Sequence, residues 1–570
     1  MIYLPNWFLP AISLIILIFW LIKEIKSFLF WAYLWQLKNY HIGRFRSHFS
    51  TFAGRKLIFN WPAFIKTIVL AATALLLFFV VSIPEANAEW IPYLLLGVPA
   101  AFLIYLAEGF YSLISFKKKT AKTPELTPKV LFLLPIIFIP LGVFTAVFAY
   151  VFAKNILGFV GYDIITLNIF FVIGIIVFDL LTPLIVSFLV LMFQPVTVFQ
   201  RNKIIRSAIA KREKFENLLT IGIAGSFGKS SVKEFLKTVL SESFRVAATE
   251  ANKNSEMGIS EYIINKLAPE HEVFICEMGA YNRGGIKLLC DIAKPKIGVL
   301  AGIGNQHAST FGSLKNIIKA KFELIDCLPE EGLAVLNWDS QPVKENFNKN
   351  INSIKYSVSG ETDIWAEEIK IKKQSLSFRA IFKTGESINV SANLIGAQNV
   401  INLLPAIAIG KRLGMENEEI ANGIKKIRPE QGGITLSKGA NGACAVNSSY
   451  SSNATGVSAH LEYLKEWGNS EKIFVMPCII ELGKEAKQTH FELGKKIGET
   501  CDFLIVTTKD YFREIKKGAV QAGMNKENIF LTEDAQKQYD KIKTLAKQGS
   551  VVFIEGRVPE YLIRKLDEKK

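Results

Sequence analysis

LLTIGIAGSFGKSS, residues 218–231, is the stretch on which the fold of most of this chain turns. Residues 218–224 are an apolar run of strand length and 225–231 a glycine-rich turn. Val232, Phe235, Leu236, Val239 and Leu240 then recur at helical spacing. A strand, a glycine loop and a helix N-terminus in that order gather backbone N–H groups and the positive end of a helix dipole around an anion. Lys229 adds a charge suited to β- and γ-phosphates, and the Ser230 hydroxyl is a ligand type for Mg²⁺. The spacing is not the strict Walker form, because Ile223 stands where that form has glycine and the glycines fall at Gly222, Gly225 and Gly228.

Outward from this turn, more segments of one kind follow. They are ANKNSEMGIS (251–260), FICEMGA (274–280), GIGNQHASTFGS (302–313), IIKAKFELI (317–325) and VLNWDS (335–340). Together with G-x-x-G-x-x-G-K-S-S they resemble the Mur ligase family of cell-wall synthesis. The resemblance implies an ATP site made by Gly225, Ser226, Gly228, Lys229, Ser230 and Ser231, with Asn337, Asp339 and Asn399 also on the nucleotide. It implies two Mg²⁺ ions held by Ser230, Glu277, His307 and Lys321, the last as a carbamylated lysine, and it makes Lys229, His307 and Lys321 the catalytic set. Lys321 has a physical argument of its own. The stripe Leu314, Ile317, Ile318, Leu324, Ile325 and Leu328 leaves a gap that Lys321 fills, and an inward ammonium is costly unless paired or modified. The alternative is a lysine that snorkels, with its stem on the core. Lys315 and Lys319 lie off the stripe, and Glu323 is placed to assist the metal indirectly.

Past residue 390 the likeness thins. GAQNVINLLPAIAIGKRLG (396–414) resembles the family's G-x-H-N-x-x-N helix, with Gln398 in the histidine position and Asn399 and Asn402 kept. Short strands near 473–477, 503–507 and 551–555, separated by helix-length segments, predict a Rossmann-like parallel sheet. IIELGKEAKQTHFELG (479–494) resembles the branch that adds D-alanyl-D-alanine. Where the family has P-x-x-G-R, this chain has PEQGG, with Gly433 at the arginine. Where the family has D-D-S-Y-N-A-N-P, it has NSSYSSNA, with Asn447 and Ser448 at the aspartates and Tyr450 and Asn453 retained.

Residues 1–200 resemble nothing in that family, whose soluble members begin with a small domain for the UDP part of the substrate. Five stretches here are long and apolar enough to cross a bilayer: 7–22 (extended by 28–37), 63–83, 91–113, 130–153 and 164–194. The first is too long, and too uncharged at its start, for a cleaved signal peptide. Loop 38–61 is basic, 84–90 acidic, 115–129 basic through Lys117, Lys118, Lys119 and Lys122, and 154–163 nearly neutral, which puts residues 201–570 inside. Asp179 and Pro183 interrupt the last span. An intramembrane carboxylate is either a functional group or a partner for polar groups within the bundle.

The formal net charge of +16 over 570 residues would suggest nucleic acid in a soluble protein. Much of it instead flanks the apolar runs, at Arg44, Arg46, Arg55, Lys56, Arg201, Lys203, Arg206, Lys211 and Arg212, where basic residues set orientation and touch anionic lipid. Nucleic acid is accordingly not expected as a partner. The six cysteines have no C-x-x-C spacing and read as reduced thiols of a cytosolic module.

The fold expected is an α-helical membrane domain (1–200), a basic linker (201–217), a P-loop central ligase domain of α/β type with a mostly parallel sheet (218–430), and a Rossmann-like C-terminal domain (431–570). The activity expected from the resemblance is ATP-dependent joining of an amino acid or D-Ala-D-Ala to a muramoyl peptide, UDP- or lipid-linked, at the cytoplasmic membrane. The alternative, motivated by Gly433, Asn447 and Ser448, is a degenerate nucleotide-binding scaffold for membrane-bound wall enzymes.

Overall fold

The computed structural model describes residues 8–38, 40, 42–49, 51–82, 97–156, 164–250, 253–304, 311–348, 350–449, 452–480 and 482–566. Its contacts divide the chain into two units, Met1–Gln200 and Arg201–Lys570.

The first unit is helical: α1 (Phe8–Leu37), α2 (Ile42–His48), α3 (Phe52–Ile58), α4 (Trp61–Ser82), α5 (Gly97–Lys117), α6 (Pro128–Ile156) and α7 (Ile164–Met192). Four stretches among the described residues, Gly54–Leu75, Gly97–Lys117, Pro128–Val151 and Leu167–Met192, are long and apolar enough to cross a membrane. The expectation was five. The expected span 7–22 and its extension 28–37 form the single helix α1, whose middle carries Lys23, Glu24 and Lys26, charges that an isolated span does not take into lipid cheaply. Loop 84–90 and most of loop 154–163 lie outside the described residues. Trp20, Phe28, Trp35, Tyr105 and Phe171 are fully buried between the helices, so the unit has a side-chain core as well as an apolar exterior.

Helix α8 (Gln194–Glu213) precedes two sheets. The larger contains β1 (Leu219–Ala224), β2 (Val246–Ala248), β3 (Val273–Glu277), β4 (Ile297–Leu300), β5 (Leu333–Asn337), β6 (Asn352–Ser357), β7 (Ile364–Ile371), β8 (Leu376–Phe382) and β9 (Ser387–Ala392), in the order β2-β3-β1-β4-β5-β6-β7-β8-β9. Strands β2 to β7 pair in parallel, and the β7-β8-β9 meander is antiparallel. The parallel strands β3, β4 and β5 are buried along their whole length, as expected for a sheet covered by helices on both faces. The helices of this part are α9 (Lys229–Leu240), α10 (Glu256–Lys266), α11 (Gly285–Ala293), α12 (Leu314–Asp326), α13 (Gln341–Asn346), α14 (Gln398–Arg412) and α15 (Asn417–Lys425).

The smaller sheet is β10 (Thr435–Lys438), β11 (Cys444–Ser448), β12 (Lys472–Met476), β13 (Phe503–Val506), β14 (Ile529–Leu531) and β15 (Val551–Glu555), ordered β10-β11-β15-β12-β13-β14. Only β10 runs antiparallel, so the Rossmann-like sheet expected from three short apolar runs is present. Its helices are α16 (Ala454–Lys465), α17 (Ala486–Thr500), α18 (Phe512–Gln521), α19 (Ala535–Leu545) and α20 (Glu560–Leu566).

The basic linker differs from its sequence reading. Arg212 is buried, and its guanidinium donates to the carbonyls of Ala293 (3.0 Å), Phe215 (2.8 Å) and Leu218 (3.0 Å) and to Thr220 Oγ1 (2.9 Å). Lys211 donates to the carbonyls of Ile264 and Leu267 at the end of α10. These two cations clamp α8 onto the sheet's helices instead of facing lipid. The fork of five N–H donors on arginine suits a cluster of carbonyls pointing at one place.

Candidate active site

The strand β1 stops at Ala224 because the next residues adopt backbone angles that favour glycine: φ is +156° at Gly225 and +83° at Gly228, which caps α9. Between them the loop is tied to the end of β4. The Ser226 N–H donates to Gly302 O (2.7 Å), the Ser226 hydroxyl to Gly304 O (3.0 Å), and the Gly304 N–H to Ser226 Oγ (3.1 Å). A Cβ on Gly302 would lie 1.7 Å from the Phe227 ring, so only glycine fits beneath the loop. On the other side Asn402 of α14 sits against Gly228, its Oδ1 2.6 Å from where a Cβ would stand.

Parallel pairing of β1 with β3 places Ile223 beside Glu277, bringing the carboxylate to the mouth of the loop. The Ser230 hydroxyl donates to Glu277 Oε2 (2.8 Å), and Asn254 Nδ2 donates to Oε1 (2.9 Å). Lys229 donates to Ser226 O at 3.2 Å. Burial holds its ammonium below the ordinary lysine value, with Glu277 pulling the other way.

Lys321 is buried, whereas Lys315 and Lys319 on the same helix are exposed, as the apolar stripe predicted. Leu314, at the head of that stripe, is exposed. Burial first, and the Lys229 charge second, bring the Lys321 amine down to about 7, against the pull of Glu323 and Glu277. Its ammonium lies 5.8 Å from the Phe311 ring centroid, and no carboxylate pairs with it among the described residues. Glu323 is engaged with backbone. It accepts from the N–H groups of Gly284 (2.6 Å) and Lys287 (3.0 Å) and so caps α11.

His307 lies outside the described residues, as does Tyr450. Asn337 ends β5 and Asp339 follows it. The Asp339 carboxylate accepts from the Ser357 hydroxyl (2.5 Å) and the Val358 N–H (2.7 Å), closing the turn after β6. Asn399 is buried, donates to Ile395 O (2.9 Å) and keeps its Oδ1 without a partner, as does the buried Gln398 Oε1. Sequence reading gave Asn254 no part. Its position three residues after the segment's start was visible, but not that it would reach Glu277.

The residues present fit one Mg²⁺: a single carboxylate and a serine hydroxyl beside a phosphate loop are the usual protein share of a site completed by phosphate oxygens and water. Among the described residues no group of three His, Cys, Asp or Glu side chains stands ready for a metal.

Residues 223–410 match the family described as the Mur ligase middle domain, and residues 434–558 the Mur ligase, glutamate ligase domain. Over residues 223–558 this chain belongs to the Mur ligase family. It is 29% identical over 288 residues to a UDP-N-acetylmuramoyl-tripeptide–D-alanyl-D-alanine ligase of Synechocystis, covering 50% of this chain and 60% of that one. It is 27% identical over 279 residues to the Escherichia coli protein of the same name, covering 48% and 61%. The chain thus spans about 60% of the length of these curated relatives. A crystal structure of MurF from Acinetobacter baumannii superposes with a TM-score of 0.58 at 25% identity, over 65% of this chain and 81% of that one.

In the C-terminal Mur ligase domain, three polar residues hold the frame. His490 is buried: its Nε2 accepts from the Ile479 N–H (2.9 Å), so its Nδ1 bears the hydrogen shared with Ala486 O (2.6 Å). Burial also lowers its basicity. Asn447 Oδ1 accepts from the Ser449 N–H (3.0 Å), and Asn453 Oδ1 from the Gly456 N–H (2.9 Å), capping α16. Gly433 has φ +82° and nothing within 4 Å of a Cβ position. The backbone there is one that an arginine rarely adopts.

Proposed function

We propose that this chain is an ATP-dependent amide ligase of peptidoglycan precursor synthesis, held in the cytoplasmic membrane by multiple N-terminal helices with its ligase module in the cytosol. The acceptor is a muramoyl peptide and the incoming amine D-alanyl-D-alanine or an amino acid. Residues 1–200 are the membrane domain, 218–430 the ATP-binding domain and 431–570 the domain for the incoming amine. The observation that carries this reading is the meeting of Lys229, Ser230, Glu277 and Lys321 at one end of β1 and β3.

A carboxylate oxygen of the peptide attacks the γ-phosphorus of ATP, and ADP leaves. The amine then attacks the acyl phosphate carbon, the amide forms as inorganic phosphate departs, and the amine gives up a proton. Lys229 and the N–H groups of 225–231 hold the transferring phosphoryl group, where charge spreads over its oxygens. Ser230 and Glu277 would hold Mg²⁺, which supplies charge neutralisation on the phosphates when bound. Lys321, as its carbamate, would supply oxygens for a second ion together with His307. Its amine, brought down to about 7, is substantially neutral at physiological pH and so able to add CO₂.

A second reading, the nucleotide-binding scaffold, is favoured by Gly433, Asn447 and Ser448, whose backbone and turn roles replace an arginine and two aspartates. The test is ADP release by the full chain in nanodiscs with muropeptides and a panel of amines. Amine-dependent release supports the ligase. ATP binding without any amine dependence across the panel leaves the scaffold.

A further inference from the structure

Four helices of the first unit bring five charged side chains into one contact network. Lys23 Nζ contacts Glu24 Oε1 (2.8 Å) and Asp179, and Lys66 Nζ contacts Asp179 Oδ2 (2.5 Å) and Glu108 Oε2 (2.6 Å). Lys23 and Glu24 belong to α1, Lys66 to α4, Glu108 to α5 and Asp179 to α7. Tyr105 of α5 donates to Asp179 Oδ2 at 3.3 Å. Lys26, one turn along α1, is engaged elsewhere, with Ser115 Oγ (3.1 Å) and over the Tyr111 ring (4.1 Å). The other helix packed on α1, α6, faces it here with the rings of Phe138 and Phe144.

One count disagrees with an ionised Glu24, that of hydrogens. Thr182 Oγ1 lies 2.8 Å from Glu24 Oε2 and 3.0 Å from the Phe178 carbonyl. A hydroxyl has one hydrogen. With Glu24 ionised, one of these two contacts joins two acceptors with no hydrogen between them. With Glu24 protonated at Oε2, the acid donates to Thr182, Thr182 donates to Phe178 O, and Oε1 still accepts from Lys23. A metal cation is a poorer solution, because both oxygens of Glu24 and of Asp179 already have protein partners.

We propose that Glu24 binds an exchangeable proton, so that the seam between α1 and α7 is a proton-binding site. Glu24 is fully buried, while its neighbours in the network, Lys23 and Glu108, are 15% and 21% exposed. Release of the proton leaves one of the two Thr182 contacts without a hydrogen and loosens α1 against α7.

The experiment is infrared difference spectroscopy on the full chain in nanodiscs across neutral pH, with a paired thermal unfolding series. Expected is a protonated-carboxyl C=O band that shifts in D₂O, vanishes in Glu24→Gln and survives in Glu108→Gln and Asp179→Asn. In the unfolding series Glu24→Gln, which can donate to Thr182 and accept from Lys23, keeps the wild-type midpoint, whereas Asp179→Asn lowers it. Absence of the band, its survival in Glu24→Gln, its loss in Glu108→Gln, or a Glu24→Gln protein that fails to fold each overturns the proposal.

Discussion

Lys321 is an ammonium in a place that does not suit one, buried and facing the charge of Lys229. Such a group escapes the cost of burial by giving up its proton. With its amine at about 7, roughly half is neutral at pH 7, against about one in two thousand for a lysine at the ordinary value. The neutral fraction falls about tenfold for each pH unit below that point. If the carbamate is needed, stripping CO₂ will therefore lower amine-dependent ADP release, and the deficit will widen as pH drops below 7. Lys321→Ala should be inactive and partly rescued by short carboxylates that offer Mg²⁺ the missing oxygens. Lys321→Met keeps the apolar stem without the nitrogen, and full activity in that variant would sink the carbamate. The burial of Lys321 was legible in the sequence, because its neighbours form a stripe of period 3.6. The proximity of Lys229 was not, since the two lie on different helices.

At the scale of elements, the phosphate loop owes its shape to a second loop. Gly302 accepts from Ser226 and lies under the Phe227 ring. Gly302→Ala should displace Phe227 and, with it, the N–H groups aimed at phosphate. We expect a loss of about 1–3 kcal/mol in stability and weaker ATP binding by calorimetry. Phe227→Ala in the same chain should recover part of the binding; no recovery would mean that the ring is not what Gly302 accommodates. The clamp of α8 gives a second test. Arg212→Ala removes the donor shared by three carbonyls and Thr220, and should cost about 2–4 kcal/mol in chemical denaturation of the Arg201–Lys570 unit. Arg212→Lys should recover only a minor part, because a point charge cannot span the same acceptors. Destabilisation below about 1 kcal/mol would return Arg212 to the lipid-contacting role that its neighbours in sequence suggested.

At the scale of the whole molecule, the arrangement of basic and acidic loops sets which side faces the cytosol. Engineered cysteines at 84–90 should be labelled by an impermeant reagent from outside, and those at 117–122 should not. The reverse pattern would place the ATP site where there is no ATP. Deleting residues 1–200 should leave ATP binding by the remaining unit unchanged, since that unit has its own cores around both sheets. Loss of nucleotide binding in the truncated chain would show that the helices do more than anchor it.

The sequence alone carried what depends on neighbours along the chain. The strand, glycine loop and helix at 218–240 were readable because φ > 0 positions demand glycine and because apolar spacing reports which face is buried. The apolar spans and the C-terminal strands were readable for the same reason. Partners across large separations were decided only in three dimensions. Asp179 was visible as an oddity, but Lys23 and Lys66, 156 and 113 residues away, became its partners only when α1 and α4 packed on α7. Arg212 read as a lipid contact because its neighbours are basic, while the carbonyls it serves come from α11 and from the turn into β1. Period and composition say whether a side chain points inward; only the packing of elements distant in sequence says what it meets there.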